Sequence, residues 1–234
     1  MRPIALAYVV ACVALTALGA YVAFQPARSE TPAMWLFAGG PTVVLAAVAA
    51  YWANREELLR EWLEPRWGDF TRGLAGAVAL YGAAWAFARV VAPVGSPREI
   101  WLASFYGQLG DPRSLQRYGP LVAVTIVVVT VAEEIVWRGM VTQLLADRLG
   151  SRTAWVWAAG LYAVSFLPSA YSLSVGSTLN PILLLGAAAG GVLWGGMARA
   201  FGRLGPSIIA HALFDWAVVM MFPLWGLAPH LPPH

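Results

Sequence analysis

The chain has no lysine, a single cysteine and little charge: 12% of its 234 residues are Asp, Glu, Lys or Arg. A soluble globular domain carries roughly 25% charged residues. The shortfall, with 59% hydrophobic residues and a mean hydropathy of +0.65, excludes a water-surrounded domain. One cysteine, Cys12, permits neither an internal disulfide nor a thiolate metal cluster, and in its apolar run it reads as a packing residue. All 15 basic side chains are arginine, which reads as genome composition, and a net charge of +3 gives no case for a nucleic-acid partner. Histidine occurs only at 211, 230 and 234. No Gly-x-Ser-x-Gly and no His-Glu-x-x-His is present, so the serine elbow and the helix-borne zinc motif are both missing. No internal repeat is visible, which argues against an inverted-repeat transporter.

What is abundant is apolar runs long enough to cross a bilayer, which takes about 20 residues. Seven are expected: residues 4–24, 34–53, 73–94, 120–146, 153–167, 181–200 and 206–224. The first is too long for a signal-peptide core and reads as a retained helix or signal anchor. The fold class expected is therefore all-α, a polytopic bundle forming one membrane domain over 1–234, with N-terminal helices and loops in 1–119 and a core in 120–225. The charged stretch 54–72 reads either as a surface amphipathic helix or as a solvated loop, and 96–119 as a loop with a short interfacial helix. Gly186, Gly190, Gly191, Gly195 and Gly196 give the sixth run a small-residue face that lets helices approach. The 12 tryptophans suit interfacial anchoring. With the N-terminus inside, Arg2, Arg55, Arg60, Arg66, Arg72, Arg148, Arg152, Arg199 and Arg203 fall inside and Arg28, Arg98, Arg113 and Arg117 outside. The positive-inside rule then favours a cytoplasmic N-terminus.

Within these runs five ionisable residues lie deep: Glu133, Glu134, Arg138, His211 and Asp215. A charge inside a span costs several kcal/mol or more, so such residues are functional-site candidates by default. Glu134 and Arg138 are four apart on one helix face, acid first, and suit a pair that anchors the helix. Glu133 is turned about 100° away and has no partner in its own helix. His211 and Asp215 also share a face. A carboxylate in a low-dielectric site serves as a general base toward water, and a histidine with an acid at the next turn can donate to an oxyanion. Together they suit hydrolysis of an acyl bond in the membrane. Glu, Glu, His and Asp are also zinc-ligand types, but adjacent glutamates diverge around a helix.

Glu133-Glu134-x-x-x-Arg138 followed by His211-x-x-x-Asp215 resembles the CAAX protease and bacteriocin-processing family of glutamic intramembrane endopeptidases. The resemblance covers roughly residues 120–219. It implies a helix bundle with no required cofactor, Glu133 activating water, and His211 and Asp215 contributing to the oxyanion site. It implies as partner a membrane-embedded or lipid-proximal peptide, such as a C-terminal sorting tail, and the multi-pass, all-arginine chain suggests the bilayer of a bacterial inner membrane. The chain departs from the family at its middle motif, Phe-x-x-x-His. The matching stretch reads Phe166-Leu167-Pro168-Ser169-Ala170, with alanine at the histidine place, and Tyr162, Ser165, Ser169 and Tyr171 are the local polar substitutes. Two rivals follow: a pseudoprotease that binds membrane peptides without cleaving them, and a proton-coupled transporter.

Overall fold

The computed structural model describes residues 3–221. Arg2, His230, His234 and the end of the seventh expected run lie outside the described residues. Among those described there is no strand, only an isolated bridge between Val175 and Thr178. The elements are α1 (Pro3–Ala23), α2 (Pro32–Arg55), α3 (Leu58–Leu63), α4 (Asp69–Val90), α5 (Glu99–Leu109), α6 (Pro112–Arg117), α7 (Gly119–Glu133), a π-helical segment (Glu134–Val141), α8 (Thr142–Leu149), α9 (Ala154–Ser165), α10 (Ser169–Ser172), α11 (Ile182–Phe201) and α12 (Gly205–Met220). The chain is an all-α, multi-pass membrane protein.

Among the described residues five helices are long and apolar enough to cross a membrane: α1, α2, α4, α11 and the continuous run Gly119–Leu149. The other two expected runs are helical but shorter, with 12 residues in α9 and 16 in α12. At 1.5 Å per residue, α9 spans only about 18 Å. It stops at Ser165 because Pro168, just beyond, lacks an N–H and disfavours helix in the residue before it.

The short elements differ more from expectation. In the charged stretch 54–72 only α3 is helical before α4 begins, and it is not a free surface helix. Its Trp62 is buried against Gly139 of the π segment, where an added Cβ would lie 2.7 Å from the indole. Glycine is required there by this close approach. The 96–119 stretch holds two helices, α5 and α6. α5 turns Leu102, Tyr106 and Leu109 inward. It is tied down by Gln108 Nε2, which donates to the carbonyls of Ala23 (3.2 Å) and Gln25 (3.0 Å), and by Asn180 Nδ2, which donates to Trp101 O at 2.9 Å. A buried backbone carbonyl needs such a partner, and long polar side chains supply it where no helix continues.

α4 lies directly against α12. A Cβ on Gly73 would come within 2.5 Å of Ile209, so the two backbones approach as only glycine allows. This contact, and that of α12 with α11 and α7, places the middle of α12 opposite the end of α7.

Candidate active site

The α7 helix changes to π geometry between the two glutamates: Glu133 closes the α-helix and Glu134 opens the π segment. π-bulges are rare and frequently mark functional sites. Here the two adjacent acids, which an ideal helix would point apart, both reach the imidazole of His211. His211 Nδ1 lies 2.9 Å from Glu134 Oε1, and Nε2 lies 3.5 Å from Glu133 Oε2 and 3.3 Å from Asp215 Oδ2. Of the three, only the Glu134 contact has hydrogen-bond length. The five charged residues singled out in the sequence thus stand in one continuous cluster.

Their surroundings divide them. A cavity of about 500 Å³ is lined by Glu133, His211 and Asp215, but not by Glu134 or Arg138. The latter two are buried behind it. Arg138 Nη1 stands 3.2 Å from Glu134 Oε1, an approach too oblique to form a directed hydrogen bond, so the pair is held by charge. The guanidinium carbon sits over two rings, 4.6 Å from the centre of Tyr162 and 5.1 Å from that of Trp194. Desolvated cation–π contacts of this kind are worth about 2 kcal/mol. Asp215 is the wettest member, its side chain 38% exposed. Away from the charged end, the cavity wall is apolar, with Phe24, Met34, Phe87, Leu102, Phe105 and Val218 among its residues. α5, read from sequence as interfacial, supplies part of this wall.

Of the polar side chains near the middle motif, one reaches the site. Tyr162 donates from its hydroxyl to Glu133 Oε2 at 2.7 Å. Ser165 and Ser169 bond back to the carbonyls of Tyr162 and Phe166, both at 2.6 Å, as serines in helical segments commonly do. Tyr171 is exposed. Ala170 is buried but does not line the cavity, whereas Phe166 does, its ring edge-on to Tyr162 at 5.2 Å.

One participant carried no sequence signal strong enough to single it out. Trp194 of α11 stacks on the His211 ring, with centroids 3.5 Å apart and planes 17° from parallel. It was one tryptophan among 12. The available hint was Gly190 four residues earlier: a Cβ there would lie 2.5 Å from the indole, so this glycine makes room for its own helix's tryptophan. Gly191 does what the small-residue face implied: a Cβ there would lie 3.3 Å from the carbonyl oxygen of Ala159 in α9.

No curated protein and no solved structure matches the chain. Residues 116–217 match the family described as Rce1-like, type II CAAX prenyl endopeptidase Rce1-like. That stretch holds Glu133, Glu134, Arg138, His211 and Asp215, and the family it matches is the CAAX protease family that their spacing resembles.

Proposed function

We propose that the chain is a glutamic-type intramembrane endopeptidase in which Glu133 is the general base. The observation that carries this reading is the position of Glu133: it is the glutamate of the pair that lines the cavity, with Tyr162 bonded to one oxygen at 2.7 Å. A water bound at Glu133 gives it a proton and attacks the carbonyl carbon of a peptide bond held in the cavity. The oxyanion that develops takes a hydrogen bond from the Nε2 side of His211, whose other nitrogen is held by Glu134. Glu133 then passes its proton to the departing amine, and the C–N bond breaks. With Nδ1 donating to Glu134, donation to the oxyanion requires a proton on Nε2 as well, and Asp215 stands 3.3 Å from that nitrogen. The apolar wall suits a substrate whose apolar segment lies in the membrane next to the scissile bond, such as a C-terminal sorting tail. Arginine placement supports a cytoplasmic N-terminus in a bacterial inner membrane.

A second reading has its own observation. His211 is the only histidine among the described residues, and the side chain that reaches Glu133 from beside the middle motif, Tyr162, is a phenol, not an imidazole. A site without the second imidazole suits a pseudoprotease that binds membrane peptides. The test is the purified protein in liposomes with a peptide carrying an apolar C-terminal tail, wild type against Glu133→Gln. Cleavage by wild type alone supports the peptidase. Equal binding with no cleavage by either supports the pseudoprotease.

A further inference from the structure

The imidazole of His211 is approached at its edges by three carboxylates from three segments: Glu133 closing α7, Glu134 in the π segment and Asp215 on its own helix. Tyr162 and Arg138 complete the charged and titratable neighbourhood through their contacts with Glu133 and Glu134. Edge contacts choose which nitrogen meets which acid only if the ring plane is held. With a carboxylate on every side, rotation of the imidazole about its Cβ–Cγ bond would exchange one partner for another. The face of the ring is occupied by Trp194.

Trp194 is itself placed by shape. Its Nε1–H has no hydrogen-bond partner among the described residues, so no polar contact aims the indole. The space left by Gly190 receives it, and Phe214 lies 6.2 Å away, centre to centre. A stacked separation of 3.5 Å is van der Waals contact across the whole ring face, and a negative π face also favours a cation above it.

The geometry points to Trp194 as a positioning residue of the site: by stacking on His211 it fixes the ring plane so that Nδ1 meets Glu134 while Nε2 faces Glu133, Asp215 and the cavity. This rests on the peptidase reading for its catalytic consequence but not for its structural one. Trp194 also stands in the cavity wall, and its positioning role is exerted through the His211 ring on which it stacks. Gly190 serves the same end by leaving room for the indole.

The test reads His211 directly. Full-length protein labelled with 15N-histidine is placed in lipid nanodiscs, and ring nitrogens are correlated with ring carbon-bound protons by NMR. The chain has three histidines, and the His211 signals are those lost in His211→Gln. In wild type the His211 ring protons are expected upfield of the other two histidines by the indole ring current, with one set of nitrogen shifts. In Trp194→Leu the upfield displacement disappears and the nitrogen signals broaden or double as the ring samples more than one plane. Trp194→Phe retains a smaller displacement and a single state. Gly190→Ala, which keeps the indole but denies it room, moves the signals toward the Leu pattern. If Trp194→Leu does not fold, Trp194→Phe and Gly190→Ala decide alone. Unchanged His211 signals in these variants, or wild-type protons without displacement, overturn the proposal. Cleavage of the apolar-tailed peptide is a separate readout: Gly190→Ala, at a position outside the cavity lining, lowers kcat by about tenfold with KM little changed, since small misplacements of a reacting group cost up to about 10²-fold. Altered NMR with no wild-type cleavage refutes the peptidase and leaves the positioning role standing.

Discussion

Asp69 and Arg203 form a second buried acid–arginine pair, at the N-terminal end of α12 and outside the cavity lining. Arg203 Nε donates to Asp69 Oδ1 at 3.1 Å while Nη2 bonds the same oxygen, and Nη1 donates to Phe201 O at 3.1 Å. The other carboxylate oxygen takes the backbone N–H of Arg66 at 2.9 Å. Nearby, Leu204 N donates to Trp62 O at 2.9 Å, so the start of α4, the loop before α12 and α3 are joined. Among the described residues no buried polar atom of the pair lacks a partner, and neither residue lines the cavity that Glu133 faces. The Glu133 cluster is buried to a similar degree but incompletely answered: among the described residues Arg138 Nη1 and Nη2 and Glu134 Oε2 lack hydrogen bonds, and Glu133 faces open space. Burial of charge is common to both, so burial does not mark a site. Spare hydrogen-bonding capacity beside a cavity does.

The largest effects test this contrast by crossing it. Arg203→Ala leaves Asp69 buried and unpaired, and removing one partner of such a pair costs roughly 3–5 kcal/mol. Thermal unfolding in detergent should fall well below wild type, while the fraction still folded cleaves at the wild-type rate. Glu133→Gln should do the reverse, with an unfolding midpoint close to wild type and cleavage lowered about 10²–10⁴-fold. Loss of activity in folded Arg203→Ala would erase the distinction.

Arg138→Ala sharpens the contrast, because Arg138 belongs to the site by contact and to the framework by position. It lies behind the cavity, and its removal strips Glu134 of a charge partner and two rings of a cation. The expected result is again a loss of about 3–5 kcal/mol, read as less folded protein after solubilisation. A variant of full stability without activity would move Arg138 into the reacting group. Tyr162→Phe is milder. It removes one hydrogen bond to a carboxylate, worth about 1.5–3 kcal/mol, and is expected to lower cleavage by about one to two orders of magnitude with little change in stability.

How much of this was legible in the sequence follows from the range of each interaction. The helices announced themselves by apolar runs, and the two polar pairs by a four-residue spacing that needs no tertiary information. Glu133 stood out because it had no partner in its own helix, and it faces the cavity. The Asp69–Arg203 pair was not legible: its members are 134 residues apart, and each looked like a surface charge near a helix end. α5 misled for a related reason. A short apolar patch among Gly, Pro and Arg reads as interfacial, and only the bundle around it makes its inner face a cavity wall. Trp194 was hidden by abundance, since its role depends on the ring it meets and not on its own neighbours.

The smallest expected effect decides where the missing imidazole belongs. Counting from Phe166 places the family histidine at Ala170, which is buried on α10 away from the cavity wall, its carbonyl accepting from Asn180 N at 3.0 Å. An imidazole there adds bulk to a packed position outside the cavity lining. One helical turn earlier stand Tyr162 and Phe166, also four apart, and both line the cavity. Tyr162 already holds Glu133, and Phe166 touches Tyr162. A side chain that helps a glutamate activate water must reach within about 3 Å of it or of its water, directly or through one more water. Position 166 meets the cavity requirement and position 170 does not. Ala170→His is therefore expected to leave cleavage unchanged and lower stability by about 1–3 kcal/mol through overpacking. Phe166→His is expected to raise kcat on the apolar-tailed peptide, by about tenfold if the new imidazole supplies part of the usual acid–base assistance. An increase with Ala170→His and none with Phe166→His would show that α10 swings its buried face to Glu133 when substrate binds.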